Sequence, residues 1–302
     1  MFDVIRAACA AVLLVVMSAA GVAGQREQPG SCDRSCLLQA SNLFVEGLLH
    51  ASIARLPLGP GVRATENGND VAVGGGSLWG RAARLQYRQT WVDPATQSAM
   101  FFGTVADAPK LPGDPTPATW WWYEVRLTMP GGRITEIEEI VWQAPASGFG
   151  SNANQFWEGD PRFEAIVPHD ERMSREELLR VANIYWDALG SGDTRRGLSV
   201  PFSPDCQRLE LGFYTTNNSA NTSCVSTFED VSWRWGVSNR RFYVVDPARG
   251  VVAGIGMFNG QGGRPSFAVP EAFKIENGVI RKLVANFNIT GVQTKSGWPD
   301  RR

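Results

Sequence analysis

Histidine is scarce in this sequence, and the motifs of several common enzyme classes are missing. The 302 residues include only two histidines, His50 and His169. No G-x-S-x-G, H-E-x-x-H or paired catalytic Cys–His arrangement occurs in the chain. The glycine run at 74–76 lacks the G-K-[ST] continuation of a phosphate-binding loop and is better explained as a turn or bulge. These absences argue against serine hydrolase, metalloprotease and P-loop chemistry.

An excess of charge of one sign is also absent. The chain has 29 Lys and Arg residues against 30 Asp and Glu residues, and its basic residues are scattered along the sequence. A nucleic-acid-binding protein gathers basic residues on one face or along one helix. We therefore expect no nucleic-acid partner.

Long apolar runs are confined to the amino terminus. Arg6 precedes an apolar run from Ala7 to Ala20, which small residues follow up to Gly24. This run is too short for a membrane span with such flanks and is typical of a secretory signal peptide over residues 1–24, with an uncleaved anchor as the alternative. No later stretch is apolar enough to cross a membrane. The expected location is therefore secreted or periplasmic.

Four cysteines follow the predicted signal peptide. An even number of cysteines in an oxidising compartment predicts disulfides. Four cysteines allow three pairings, and we favour Cys206–Cys224, across the polar segment Thr215–Ser223, together with Cys32–Cys36 near the first helix. The C-x3-C and C-x17-C spacings, with so few histidines, do not fit a zinc site, so no metal is expected.

The chain contains one sequence pattern twice, with its copies 141 to 153 residues apart. A period of this length predicts two whole domains, because solenoid repeats span about 20–50 residues. We expect a first domain over residues 32–143, a linker over 144–173 and a second domain over 174–292. The matching segments are Leu37–Leu48 with Leu178–Leu189, Arg63–Gly68 with Gln207–Gly212, Val92–Pro94 with Val245–Pro247, and Gly132–Ile134 with Gly278–Ile280.

Each copy begins with a helix and continues with strands, so the predicted fold class is α+β. Apolar residues at helical spacing mark the segment Ser35–His50, and Ser174 with Glu177 forms a capping box before the second helix. Asn277-Gly278 is typical of a hairpin turn. The predicted strands are Arg84–Val92, Ala99–Val105, Trp120–Met129 and Ile134–Trp142 in the first copy, and Val231–Trp235, Arg241–Val245, Val251–Phe258, Phe267–Val269, Phe273–Ile275 and Ile280–Ile289 in the second.

This order of elements resembles the nuclear-transport-factor-2-like superfamily, in particular its SnoaL-like, or polyketide-cyclase-like, branch. The residues that carry the resemblance are the helical segments Asn42–Leu48 and Ala182–Leu189 and the acidic motifs at Glu66 and Glu210. An L-P-L segment followed by Thr65–Gly68 is similar to the sequence pattern of a secreted, uncharacterised two-domain family. The resemblance implies two tandem cone-shaped domains, each with N-terminal helices packed on a strongly curved antiparallel sheet, that form a pseudo-dimer. It also implies an apolar pocket and chemistry without a cofactor.

Glu66 is the first candidate for an acid–base group, with His50 as its partner. A carboxyl group in an apolar cavity has a raised pKa, which suits proton transfer near neutral pH. The structural alternatives are that Glu66 braces a turn and that His50 only favours the carboxyl end of its helix. Glu210 occupies the equivalent position in the second domain. The presence of this glutamate in both copies favours a structural role.

Aromatic residues provide candidate walls for a pocket. The chain has 11 tryptophans, and most are explained by core and interdomain packing. Trp79 and Trp121 are the candidates for contact with a substrate, and Tyr87 and Arg63 are candidates to orient it, although both fit ordinary strand positions. Two hypotheses follow. The first is an exported isomerase, cyclase or lyase acting on a small hydrophobic molecule, which we expect to be aromatic. The second is a non-catalytic binding protein that uses the same pocket. A homo-oligomer is also compatible with the sequence.

Overall fold

Two similar α+β domains follow one another in the chain. The computed structural model describes residues 30–107, 118–155, 159–191, 197–216, 223–228, 236–260, 263–288 and 295–299. The predicted signal peptide and the predicted strand Val231–Trp235 lie outside these residues. The elements of the first domain are α1 (Arg34–Leu49), β1 (Leu58–Glu66), β2 (Asn69–Val71), β3 (Ala82–Asp93), β4 (Ser98–Asp107), β5 (Trp120–Thr128) and β6 (Ile134–Gln143).

The second domain repeats this order. It contains α2 (Arg175–Ser191), β7 (Phe202–Glu210), β8 (Phe213–Tyr214), β9 (Gly236–Asp246), β10 (Val251–Asn259), β11 (Phe267–Glu276) and β12 (Val279–Ala285). The spatial order of strands is β2-β1-β6-β5-β4-β3 in the first sheet and β8-β7-β12-β11-β10-β9 in the second. The same path is therefore followed twice, which confirms the tandem arrangement predicted from the repeat.

The sheets differ from the expected antiparallel cones. Strands β1 and β6 run parallel, as do β7 and β12. A parallel pair needs a long crossover connection, and here that connection consists of the hairpins between the two strands. The sheets are thus mixed, and neither sheet is strongly curled.

Local signals at the helix starts agree with the structure. The Asp33 carboxylate caps α1 by accepting a hydrogen bond from the Cys36 amide at 2.8 Å. At α2, the Ser174 amide donates to Glu177 Oε2 at 2.8 Å, and the Glu177 amide donates to Ser174 Oγ at 3.2 Å. This reciprocal pair is the predicted capping box, which satisfies amide groups that have no partner within the helix.

The acidic motifs at Glu66 and Glu210 each end a strand at a tight turn. Asn67 and Gly68 have φ angles of 49° and 77°, and Leu211 and Gly212 have φ angles of 47° and 77°. Left-handed conformations at both central positions join the flanking strands into a hairpin. Asparagine tolerates this conformation better than leucine. The buried Leu211 belongs instead to an apolar cluster with Trp122 and Trp142.

Both predicted disulfides are present. Cys32 pairs with Cys36, with Cα atoms 5.4 Å apart, and Cys206 pairs with Cys224, with Cα atoms 5.9 Å apart. The first lies at the start of α1. The second joins β7 to the segment that leads towards β9. Both fit an oxidising compartment.

Each sheet has two buried faces. One face packs against the helix of its own domain and forms a separate apolar core. The opposite faces meet in a third cluster, in which Tyr87 and Trp91 of β3 lie with Tyr243 and Val244 of β9. The linker contributes Phe163, whose ring lies 5.2 Å from that of Trp91. The linker therefore packs against the surface between the domains.

The repeated Val-Asp-Pro turns form a reciprocal contact between the domains. Arg34 of α1 binds Asp246 of the second domain, with Nη1 to Oδ2 at 2.9 Å. Arg175, the repeat equivalent of Arg34, binds Asp93 of the first domain through two nitrogens at 2.7 and 3.1 Å. Such exchange of equivalent contacts is typical of an isologous interface.

The Arg175→Ala variant is expected to lose more stability than Arg34→Ala. Only 2% of the Asp93 side chain is exposed, against 12% for Asp246. Removing Arg175 leaves a buried carboxylate without its cation, at an expected cost of about 1–3 kcal/mol. Urea unfolding of the two variants would measure the difference. Equal losses would show that burial of the aspartate does not govern this contact.

In the parts of the chain that the structure describes, no helix has both the length and the apolar character needed to cross a membrane.

Candidate functional site

A cavity of about 230 Å³ lies between α2 and the sheet of the second domain. Its walls are mainly apolar, and its polar groups enter from the helix and from two strands. This combination of apolar walls and a few converging polar groups is typical of small-molecule sites. The lining residues are Phe149, Tyr185, Leu189, Arg208, Glu210, Phe258, Phe267, Val269, Glu271 and Phe287.

An ion pair lines this cavity. Arg208 and Glu210 are two residues apart on β7, so their side chains share the face that packs against α2. Arg208 Nη2 donates to Glu210 Oε1. The Arg208 side chain is 6% exposed and that of Glu210 is 13% exposed. The pair therefore brings a cation and a carboxylate into a largely apolar space.

A second carboxyl group, that of Glu271 on β11, faces the same cavity. The indole Nε1 of Trp186 donates to Glu271 Oε2, and Tyr185 also hydrogen-bonds this carboxyl group. Burial raises the pKa of Glu271 to about 8, and these hydrogen bonds only partly oppose the rise. At neutral pH Glu271 is therefore mostly a neutral acid that can donate a proton.

The first domain contains a comparable pair of carboxyl groups. Glu66 and Glu139 are neighbours in register on β1 and β6. Glu139 accepts hydrogen bonds from Trp79 Nε1 at 3.1 Å and from the Tyr123 hydroxyl at 2.6 Å. Glu66 accepts one from the Ser77 amide at 2.7 Å. Burial raises the pKa of Glu139 to about 7.

The loop between β2 and β3 covers this first pair. A Cβ atom added to Gly76 would lie 2.7 Å from Glu66 Oε2 and 3.2 Å from Glu139 Oε2. The absence of a side chain at Gly76 therefore allows the loop to approach both carboxyl groups. The Trp79 ring packs edge-on against Phe44 of α1 at 5.6 Å. The Glu66 carboxylate thus braces this loop.

The structure separates the two residues predicted to act together in the first domain. His50 caps the carboxyl end of α1 through its backbone and is exposed. Within the described residues, no hydrogen bond or ion pair joins the His50 side chain to Glu66. Trp121 lies on the same face of β5 as Tyr123 and packs against the helix-side core. The Arg81 guanidinium lies 4.9 Å from its ring centroid.

Tyr87 and Arg63 point away from Glu66. Tyr87 is buried between the two sheets. Arg63 lies on the opposite face of β1 from Glu66, where it pairs with Asp70 at 2.9 Å and stacks on Trp298 at 4.3 Å. Neither side chain joins the carboxyl pair, because side chains alternate across a strand.

Sequence reasoning missed Arg208, Glu139 and Glu271. Glu210 and Glu66 are equivalent in the repeat, but Glu139 and Glu271 are not. Glu139 pairs with Glu66 across β1 and β6, whereas the residue that pairs with Glu210 is Ala285. Glu271 lies one strand further on, where it also pairs with Ala285. The two domains therefore place their second carboxyl group on different strands.

No group of three or more His, Cys, Asp or Glu side chains suited to a metal ion occurs among the described residues. The polar groups of the second-domain cavity are an arginine, a tyrosine and two glutamates. An ion-paired carboxylate and a protonated carboxyl group in one cavity can accept and donate a proton, respectively.

Thermal stability is expected to fall as the pH rises from about 5 to about 8. Glu139 and Glu271 have a reference pKa of 4.5, against about 7 and about 8 in the fold. In this range the folded state binds more protons than the unfolded state, so rising pH lowers the free energy of unfolding. Each group is expected to contribute about 3–5 kcal/mol, present in full below pH 4.5 and lost above its folded pKa, because a shift of one pKa unit corresponds to about 1.4 kcal/mol.

Melting temperatures across this range would test the assignment. The Glu139→Gln and Glu271→Gln variants should each show a shallower dependence on pH, because the amide does not ionise. The exposed Glu46→Gln substitution in α1 is the control and should leave the slope unchanged. A wild-type slope in both buried variants would contradict the assignment.

Comparisons with known proteins give one match to a family model. Residues 171–287, which span the second domain, match DUF8021, a domain of unknown function. A comparison with curated proteins finds no match. A solved structure, that of AusH from Aspergillus nidulans, is 19% identical and covers 38% of this chain and 86% of its own, with a TM-score of 0.30. A likeness at this level carries no argument about function.

Proposed function

We propose that the second domain is an exported enzyme domain that moves protons on a small, hydrophobic, aromatic molecule. The reaction class is an isomerisation, a cyclisation or a lyase step carried by side chains of the chain itself. The observation that supports this proposal is the cavity that combines the Arg208–Glu210 ion pair with the buried carboxyl group of Glu271. Apolar walls would bind the ring system, and the polar groups would act on it.

Each polar group has a distinct role in this proposal. Glu210 is the general base, because it is the carboxylate that Arg208 holds in the cavity. Glu271 is the general acid, because it carries a proton at neutral pH. Arg208 lies where it would stabilise negative charge that develops on the substrate. After one proton has been taken up and another released, exchange with solvent restores both groups.

The resemblance to the SnoaL-like branch supports this reading, because it joins an α+β fold to acid–base chemistry in an apolar pocket. The pseudo-dimer belongs to the same proposal, but the strong curvature of a cone does not, since neither sheet is strongly curled. The reciprocal Arg34–Asp246 and Arg175–Asp93 contacts support the pseudo-dimer. The site differs from the sequence hypothesis, since it places catalysis at Glu210 rather than at Glu66 and His50.

The alternative is a binding protein without catalysis, and the first domain favours it. There, Glu66 accepts a hydrogen bond from a backbone amide, and Glu139 accepts hydrogen bonds from an indole and a phenol. The fold therefore uses buried carboxyl groups for structure in at least one domain. Trp186 and Tyr185 could hold Glu271 in the same structural manner.

Native mass spectrometry of the protein purified from its own host would distinguish the two functions. We expect the wild-type protein to release a converted compound and Glu210→Gln to retain the unconverted one. Glu66→Gln, at the equivalent position of the first domain, is the matched control and should behave as the wild type. A compound held unchanged by all three proteins would favour the binding protein. Loss of conversion only in Glu66→Gln would assign the active site to the first domain.

A further inference from the structure

Trp79 occupies, in the first domain, the place that the cavity takes in the second. Its ring lies between α1 and the sheet, in contact with Phe44 on the helix and Glu139 on the sheet. The repeat equivalent of Phe44 is Tyr185, which lines the cavity. The equivalent of Glu139 is Ala285, which lies between Glu210 and Glu271 in the strand register. The indole therefore fills the space that is open, among the residues that the structure describes, in the second domain.

The contacts of Trp79 indicate which groups this space can accommodate. Its ring packs edge-to-face against Phe44 of the helix, and its Nε1–H donates to the carboxyl group of Glu139 on the sheet at 3.1 Å. The second domain offers the same two kinds of group: Tyr185 on the helix, and carboxyl groups on both strands beside Ala285. Fused aromatic rings with one hydrogen-bond donor fit both domains.

The size and polarity of the cavity agree with such a ligand. A cavity of about 150 Å³ holds benzene, so a cavity of about 230 Å³ has room for a fused bicyclic ring. Arg208 binds one oxygen of Glu210. Among the described residues, nothing donates a hydrogen bond to the second oxygen, Oε2. That oxygen is positioned to receive a donor from a ligand.

We propose that the second-domain cavity binds a planar, fused-ring aromatic molecule of indole size that carries a ring N–H or O–H, and that Glu210 accepts its hydrogen bond. This inference rests on the proposed function, whose substrate class it narrows. It makes Trp79 an internal counterpart of the ligand. The first domain would then be a closed copy of the same site.

The test uses indole and benzofuran, which share a ring size but differ in the N–H donor. Calorimetric titration of the whole wild-type protein is expected to show one indole bound per chain, with benzofuran about tenfold weaker. The Trp79→Gly variant opens the first site and is expected to bind two indoles per chain. Added indole should also raise the melting temperature of Trp79→Gly more than that of the wild type, since it replaces the lost ring.

Each outcome bears on the inference. A wild type that binds no indole while Trp79→Gly binds one would show that the second cavity has a different ligand chemistry. Equal affinity for indole and benzofuran would overturn the role of the donor. The Val269→Trp variant, which places a ring in the second cavity, should abolish binding in the wild-type background. If this variant fails to fold, the number of indoles bound by Trp79→Gly still tests the inference, because two bound indoles support it.

The experiment also separates this inference from the proposed catalysis. Binding is measured without turnover, so a protein that binds indole but converts nothing would overturn catalysis alone. A protein that converts an aromatic compound lacking any donor, and does not bind indole, would overturn the ligand class alone.

Discussion

Replacing Glu138 with glutamine is expected to lower the free energy of unfolding by about 3–5 kcal/mol. Glu138 lies between two arginines at the surface where the sheets meet. Its Oε2 atom accepts from Arg241 Nη1 at 2.6 Å and lies 3.4 Å from Arg126 Nη2. All three side chains are fully buried. Without the carboxylate, two positive charges remain in a space that water cannot reach.

The two arginines depend on Glu138 to different degrees. Arg126 keeps an ion pair with Glu136 at 2.5 Å and stacks on the rings of Tyr243 and Trp298, 4.4 and 4.2 Å away. Arg241 keeps a hydrogen bond to the Tyr243 hydroxyl at 3.2 Å but has no second carboxylate among the described residues. Most of the loss should therefore arise at Arg241, on β9 of the second domain.

Glu136→Gln is the matched control, because Glu136 also pairs with Arg126 but its side chain is 23% exposed, whereas that of Glu138 is fully buried. Its expected cost is about 0–1 kcal/mol, as is usual for pairs that water reaches. Urea unfolding at neutral pH of both variants measures the comparison. If the two variants lose the same stability, the charges at this interface are not isolated from solvent as the geometry requires.

Sequence reasoning predicted the features that local chemistry controls. The capping box at Ser174 and both disulfides join residues at most 18 positions apart, and the repeat shows as matching segments, so the sequence displays all of them directly. Strand β1 was not predicted, because Gly59, Pro60 and Gly61 at its start resemble a turn. This segment becomes a strand by pairing with the distant β6. The predicted strands Phe267–Val269 and Phe273–Ile275 are parts of one strand, β11, which continues through Pro270.

The candidate site was harder to predict because it depends on register. Glu66 stands out by the motif around it, but its neighbour Glu139 lies in the run Ile134–Gln143, where three glutamates, two of them adjacent, lie among apolar residues. Which glutamate faces the helix is decided only by pairing with β1 and β5. The same holds for Glu271 in the second domain. A one-residue change of register would turn each of them to the opposite face.

The Glu210→Gln variant is expected to lower the turnover number by about 10²–10⁴-fold once a substrate has been found. The amide keeps the shape of the carboxyl group and can remain beside Arg208, so the cavity should stay intact. What it loses is the ability to accept a proton in the transition state. Substrate affinity is therefore expected to change much less than turnover, and measurement of kcat and KM separately would show this.

The pH profile of turnover distinguishes an acid–base pair from a site that only positions the ligand. With Glu271 as the acid, activity should fall as the pH rises through about 8, where this group loses its proton. Glu271→Gln should abolish this alkaline limb, because an amide does not titrate there, and should also lower turnover. Glu139→Gln, the comparable change in the first domain, should keep both the limb and the rate. An alkaline limb that persists in Glu271→Gln would assign it to another group. If the loss of activity at alkaline pH disappears in Glu139→Gln instead, the general acid is Glu139 of the first domain, although Trp79 closes that site.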